Sequence, residues 1–396
     1  MPNPNEKITT TSYWARLKRA GTATLTSIIV IFIAIGVLFW NEGRSVQTAR
    51  ALDEGAGLVI EISADRADPA RNGDLVHVSG DLVLPGPLVD AMLGVEARDT
   101  AVRLAREVEM YQWQETQTTT TETNTGGSET QRTAYRYETG WSSTAHDSSR
   151  FHNPTGHANP PMPIQGETFR HENGVIGVFT IETGEVSALG TTQPLPIDAD
   201  QARAIGTRIA PERPVSVTGN AVYIGNDPNA PQIGDLRVSF GEAPVTTASA
   251  VGRQFASAID AYTTSNRRTI MMVAEGRQTS AQMFDQAQSA NTTTTWVVRI
   301  VGLVVLFGAF RGLFGVIATA ADVLPFVGSL ARGAISLVAL ALTLVAGGGT
   351  IALAWLWYRP LLSLAILGIA AVIGGALLWR ARKTGPQAMP SPAHLG

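Results

Sequence analysis

Two sets of residues in this 396-residue chain have the types and spacing to do chemistry. One is a group of histidines and carboxylates. His146, Asp147, His152, His157 and His171 lie close together in the sequence. A zinc site needs three or four ligands converging tetrahedrally. His152 and His157 are five residues apart in a Pro/Asn/Gly loop (FHNPTGHANPPMP) and fit no standard ligand spacing. Hydrogen-bonded loop histidines are the plainer reading, and no metal is expected. Glu107 and Glu109 share one face of an alternating strand and could form a carboxylate pair. A solvated strand edge accounts for them more simply. No cofactor is expected either, because the phosphate-cradling glycine patterns and the G-x-S-x-G elbow are missing. With no cysteine there is no thiolate site, cysteine nucleophile or disulfide. The other set is Asn41-Glu42-Gly43-Arg44, which follows an apolar run directly. At headgroup level Arg44 could bind a phosphate or a carboxylate.

The elements that must position these residues divide the chain sharply. Thr22–Trp40 is a 19-residue stretch without charge, preceded by Lys7, Arg16, Lys18 and Arg19. It is long enough for a bilayer core of about 30 Å and reads as an uncleaved signal anchor. Trp296–Gly315 is apolar except for Arg299 and Arg311, which are expected to snorkel. Ile335–Trp357 and Leu361–Trp379 are also free of charge, and Tyr358-Arg359-Pro360 joins them as a tight hairpin. The expected class is a four-span α-helical membrane protein with a large strand-rich α+β extracytoplasmic domain. Its expected parts are 1–21 (cytoplasmic), 22–40 (first span), 41–295 (outer or lumenal domain) and 296–315 (second span). There follow 316–334 (cytoplasmic loop), 335–357 (third span), 361–379 (fourth span) and 380–396 (cytoplasmic tail).

Charge supports that orientation. Residues 41–295 hold 31 acids against 19 Arg and no Lys, a net charge of −12. The remainder is basic, with two acids, Glu6 and Asp322, against 11 basic residues. Cytoplasmic segments collect Lys and Arg, and an acidic domain excludes nucleic acid as its partner. Among the apolar runs there is no Asp, Glu or His, which argues against proton-coupled transport. Gly308 and Gly312 form a G-x-x-x-G that could support self-association.

Within the domain, alternation predicts strands at 58–62, 75–83, 177–181, 215–217, 221–224, 236–240 and 269–273. Val102–Trp141 reads as one long β-hairpin with a Thr-rich, Gly-containing tip and an aromatic side that packs on another layer. Residues 88–95 could hold a short helix, and 280–289 are expected to be helical.

Six strings then occur in order: NEGR (41–44), GDLVHVSGDL (73–82), VEMYQWQE (108–115), GHANP (156–160), GDLRVSF (234–240) and WYRP (357–360). With one apolar run before and three after, the chain resembles the transmembrane protein 43 family, also called LUMA, over nearly its whole length. Its Ala/Arg-rich, Lys-poor composition suggests a bacterial member. The residues carrying the resemblance are Asn41, Glu42, Gly43, Arg44, His77, Glu109, Tyr111, Trp113, Gly156, His157, Asn159, Pro160, Gly234, Asp235, Arg237, Tyr358, Arg359 and Pro360, with no assigned role. The resemblance implies a four-span protein with a lumenal domain. Animal members sit in the endoplasmic reticulum and inner nuclear membrane, and are described as organisers that bind lamins and emerin and self-associate. No catalytic residue comes with it. The expected function is therefore a non-catalytic integral membrane protein that organises membrane or envelope complexes. Its partners would be the lipid bilayer and copies of itself, in the bacterial inner membrane. The alternative is an enzyme acting on lipid or envelope components. That reading requires two or more of His146, His152, His157, Glu107 and Glu109 to share a pocket.

Overall fold

The computed structural model describes residues 5–181, 184–323 and 325–360. It forms two compact units, and the chain passes between them more than once. A strand-rich unit takes Met1–Arg16, Thr48–Ala290 and Asp322–Pro325. A helical unit takes Leu17–Gln47, Asn291–Ala321 and the chain from Phe326.

The strand-rich unit is organised by six longer strands. These are β1 (Glu6–Thr11), β2 (Leu75–Val83), β3 (Ala101–Thr123), β4 (Glu129–Ser142), β5 (Leu236–Pro244) and β6 (Thr247–Phe255). One sheet runs β1-β4-β3-β5-(221–224)-(215–218), with short strands 167–170 on β3 and 193–195 on β5. The inward face of β3 is Leu104, Val108 and Met110, all essentially inaccessible, packed against Val222, Ile224, Leu236 and Val238. In the second sheet β2 pairs β6, and strands 258–260, 179–181 and 174–176 continue from β6 back to β2. That circuit closes on itself around Val76, Val78, Ile176, Phe179, Ile181, Ala250 and Ile259. A closed circuit leaves few free strand edges.

The structure carries the hairpin further than its alternation shows, to 23 residues in β3 and 14 in β4. The register runs unbroken from Met110↔Ser142 to Thr123↔Glu129. Residues 88–95, offered as a helix, instead contribute two short paired strands, Val89–Asp90 and Val95–Glu96. One helix in this unit, α2, was not foreseen: Ala199–Ile209, started by a capping box in which Asp198 and Gln201 bond each other's backbone.

Three helices among the described residues are long and apolar enough to cross a membrane. They lie within α1 (Tyr13–Leu58), α3 (Ser280–Leu313) and α5 (Pro325–Tyr358), with a short α4 (Gly315–Ala321) between the last two. Three of the four expected spans therefore have a helix among the described residues. The fourth run, 361–379, and the tail, 380–396, lie outside the described residues. The expected loop at 316–334 is mostly helix, because α4 and the start of α5 occupy it. The first expected span, 22–40, lies inside α1, which continues unbroken for 46 residues. Within the helical unit Leu38, Leu306 and Ala339 are fully buried, while Ile29, Phe32, Ile33, Leu337 and Val345 point outward. Such an apolar exterior suits lipid.

Candidate functional sites: a buried carboxylate clasp and an aromatic slab

In the helical unit the first motif sits on α1 one step beyond the apolar run. Glu42 is 2% exposed. Arg299 of α3 donates to both of its oxygens, Nε at 2.7 Å and Nη2 at 2.7 Å. Trp355 of α5 donates its indole N–H to the same carboxylate at 2.8 Å. Three donors from two helices thus satisfy one buried charge, with the Arg engaged bidentately. The Arg299 guanidinium also lies 4.8 Å from the Trp296 ring centroid and 5.8 Å from that of Trp355, so its own desolvation is compensated from two sides.

Asn41 is fully buried and donates to the Thr295 carbonyl at 3.2 Å. This brings the ends of the first two apolar runs together. Arg44 donates to Asn291 Oδ1, Asn41 Oδ1 and Thr295 Oγ1, each at 3.2 Å. Gly43 completes the motif by being small. The Tyr358 ring lies against it, and a Cβ there would sit 2.5 Å from a ring carbon. Tyr358 also packs on Phe39, with ring centroids 5.6 Å apart. Arg359 and Pro360 follow the end of α5 and are exposed. The sequence reading placed an acid in no apolar run and sent Arg299 snorkelling outward. The structure instead pairs Arg299 with Glu42, which sits just past the run but inside the helix. Two isolated opposite charges at the ends of two apolar runs were the available signal.

In the strand-rich unit the other motifs gather on the hairpin. Tyr111 continues the ladder beyond β5, accepting from Gly234 N and donating to Asp235 O, both at 2.8 Å. Asn159 then stands in for a strand. Its Oδ1 accepts from Trp113 N at 2.7 Å and its Nδ2 donates to Trp113 O at 2.9 Å. His157 stacks on Tyr137 at 4.0 Å and meets Trp113 edge-on at 4.8 Å, while His152 stacks on Tyr135 at 4.1 Å. Glu115 accepts from the Tyr137 hydroxyl at 2.7 Å. Gly156 turns the loop at φ +82°, and Pro160 packs on Gly234. Arg237 pairs in register with Glu109 and lies 3.9 Å from the Trp141 ring centroid. Asp235, 2% exposed, accepts from Arg213, from the Tyr223 hydroxyl and from Gln232 N. Burial and the Asp235 carboxylate hold the Tyr223 phenol well above its ordinary range. Sequence reasoning missed Arg213 and Tyr223, which lie outside every recognised string.

His77 belongs to neither cluster. It is buried in β2, with Nδ1 3.8 Å from Glu61 and Nε2 without a hydrogen-bond partner. It borders a polar cavity of about 330 Å³ that also touches Asp65, Ser79, Asp81 and Arg277. Burial lowers its pKa against the opposing pull of Glu61.

Two cavities of about 310 and 640 Å³ share Glu107. Neither is lined by His146, His152, His157 or Glu109. The histidines are spent on aromatic stacking and loop bonds. Among the described residues no three His, Cys, Asp or Glu converge as metal ligands.

Long apolar helices tied by a buried ion pair, together with a strand-rich unit, define an integral membrane protein. The chain belongs to the Transmembrane protein 43 family, whose model matches residues 110–360. Transmembrane protein 43 of Rattus norvegicus is 29% identical over 374 residues, covering 90% of each chain. The Homo sapiens protein of that name is 28% identical over 373 residues, with the same coverage. The Transmembrane protein 43 homolog of Drosophila melanogaster is 29% identical over 371 residues, 88% of this chain and 91% of that one. No solved structure matches the chain.

Proposed function

We propose that this protein is a non-catalytic organiser of membrane or envelope protein complexes, working through its strand-rich domain and the packing of its helices. One observation carries the reading. The most charged of its motifs, residues 41–44, spends its polar atoms on Arg299, Trp355, Asn291 and Thr295 of the same chain. A group so engaged holds helices in place and offers nothing to a substrate. The competing enzyme reading required two or more of His146, His152, His157, Glu107 and Glu109 at one cavity, and Glu107 is there without the others.

In this proposal residues 41–295 lie outside the cytoplasm, with 1–21 and 316–334 inside. The membrane is the bacterial inner membrane, or the endoplasmic reticulum and inner nuclear membrane in a eukaryote. The Lys and Arg distribution supports that orientation. Self-association accompanies the role. In-membrane chemical cross-linking of the full chain should yield discrete homo-oligomers or complexes with other membrane proteins. Turnover of a lipid, peptide or glycan by the purified chain would overturn the proposal.

A further inference from the structure

β3 and β5 run side by side in the first sheet of the strand-rich unit, and each changes its other partner at the same level. Away from β5, β3 pairs with strand 167–170 as far as Arg106↔Glu167 and takes up β4 only from Met110↔Ser142. Away from β3, β5 pairs with strand 221–224 as far as Ser239↔Ala221 and with strand 193–195 from Phe240↔Leu195 onward. Glu107 and Ser239 are register partners at that level. A sheet interrupted on both sides opens there. The cavity of about 640 Å³ lies beside β3, between Ser143 and Gly166, and the one of about 310 Å³ lies beside β5, at Asn220 and Gln193. Ala105 and Glu107 belong to both, so the two make one trough that runs across the strands. Four strand positions with three spacings of about 4.8 Å make it about 14 Å across.

Its chemistry is narrow. The floor is small, with Ala105, Ser239 and Gly241. The exposed Glu107 carboxylate stands in the middle, and among the described residues it has no hydrogen bond or ion pair to the chain. The side-chain amides of Gln165, Gln193 and Asn220 and the hydroxyls of Thr168 and Ser239 are uncommitted as well. The nearby arginines are spent. Arg103 donates to the Ser187 and Gly190 carbonyls and to Thr192 Oγ1, and Arg106 to Asp90, Glu167 and the Gln165 carbonyl. A phosphate or another anion would therefore meet Glu107 and no free cation. Phe240, the one ring on either wall, turns its side chain into the core, so an acyl chain finds no apolar slot. An added peptide strand must lie along a strand edge, whereas this trough runs across four strands. What remains is a ligand rich in hydroxyls, which donates to a carboxylate and both donates to and accepts from amides.

We infer that this trough is a binding site for a neutral oligosaccharide, with Glu107 accepting from a pair of sugar hydroxyls and the amides of Gln193, Asn220 and Gln165 reading those on either side. The site binds and does not cleave, since glycoside hydrolysis canonically uses two carboxylates across the scissile bond and Glu109 lines neither cavity. The inference goes beyond the organising role proposed above and stands on the strand-rich unit alone.

The test uses the full chain in a zwitterionic detergent without a sugar headgroup, titrated with chitotetraose, maltotetraose and cellotetraose by calorimetry and saturation-transfer NMR. At least one tetrasaccharide should bind saturably. Glu107→Ala should weaken it about tenfold or more, as for a lost charge-assisted hydrogen bond. Its melting temperature should be unchanged, because Glu107 has no partner in the chain to lose. Ser239→Trp, which fills the floor, should abolish binding. Should that variant fail to fold, Asn220→Trp on the exposed rim should weaken binding in its place. Trilysine and inorganic phosphate should not displace the sugar. Absence of binding by all three tetrasaccharides would overturn the inference. So would binding indifferent to Glu107→Ala and the tryptophan variant, or displacement by trilysine, which would mark a site for cationic peptides. Cleavage of a bound tetrasaccharide would confirm the ligand class and overturn the non-catalytic role instead.

Discussion

Glu42 and Asp235 are both 2% exposed carboxylates, each bonded by an arginine and by an aromatic donor. They differ in what they hold. The partners of Glu42 stand 257 and 313 residues away in sequence, on α3 and α5. Those of Asp235 stand 22, 12 and 3 residues away and close one turn of the strand-rich unit. Their arginines differ too, with Arg299 at 12% exposed and Arg213 at 35%. A buried pair stripped of one partner leaves an uncompensated charge in low dielectric, whereas a half-exposed arginine returns to water. The same chemistry therefore secures a tertiary arrangement in one unit and a local loop in the other.

That contrast predicts a graded series. Glu42→Ala should cost the most, about 3–5 kcal/mol, read as lost thermal stability and lost helix packing of the detergent-solubilised chain. Because Arg299 is then the stranded group, Glu42→Ala with Arg299→Met should recover part of the loss. If Asp235→Ala proved equally costly, the distinction between the two carboxylates would collapse. We expect Asp235→Ala to cost about 1.5–3 kcal/mol, the worth of hydrogen bonds to a charged acceptor. It should raise proteolysis near residues 226–234 and leave the helices unaffected.

Asn159→Ala should cost less again, about 1–2 kcal/mol, for leaving the Trp113 backbone groups without their partner. Faster amide exchange at Trp113 is the direct readout. The smallest effect concerns His77, a buried group whose partners are incomplete. Its folded pKa lies below the unfolded value of about 6.5, so protonation favours the unfolded chain. The stability of the neutral state is complete above that value and declines as pH falls below it. His77→Gln should flatten this part of the stability profile. The acid sensitivity of Glu61, whose pKa is lowered by hydrogen bonds from Ser280, should remain and appear at lower pH.

The strands that were legible carry their own pattern. β2 spans the same residues, 75–83, that its alternation marks: the face of Val76, Val78, Gly80 and Leu82 is buried throughout, while the other opens to solvent at Asp81 and Val83. β6 is not among the strands that alternation marks. Its residues TASAVGRQF are small or polar and carry weak strand preference, and they are buried by pairing with β2 on one edge and strand 272–275 on the other. The histidines of the 143–166 loop were read as hydrogen-bonding loop residues without named partners, because sequence shows proximity and never direction. Direction comes from the rings of Tyr135, Tyr137 and Trp113, which take two of their imidazoles.

The sequence by itself determined where the apolar helices lie, that the middle of the chain is acidic and strand-rich, and which short strings mark its family. Those follow from local composition and period, which neighbouring residues impose on one another. Only the tertiary structure decided that Glu42 meets Arg299 and Trp355, and that β1 meets the end of the hairpin. It also decided that Asn159 extends a strand it does not belong to. Each of these joins residues through a carboxylate, a backbone edge or a side-chain amide that could equally have bonded water. Which partner such a group finds depends on the packing that excludes the water, and that packing is assembled from distant parts of the chain.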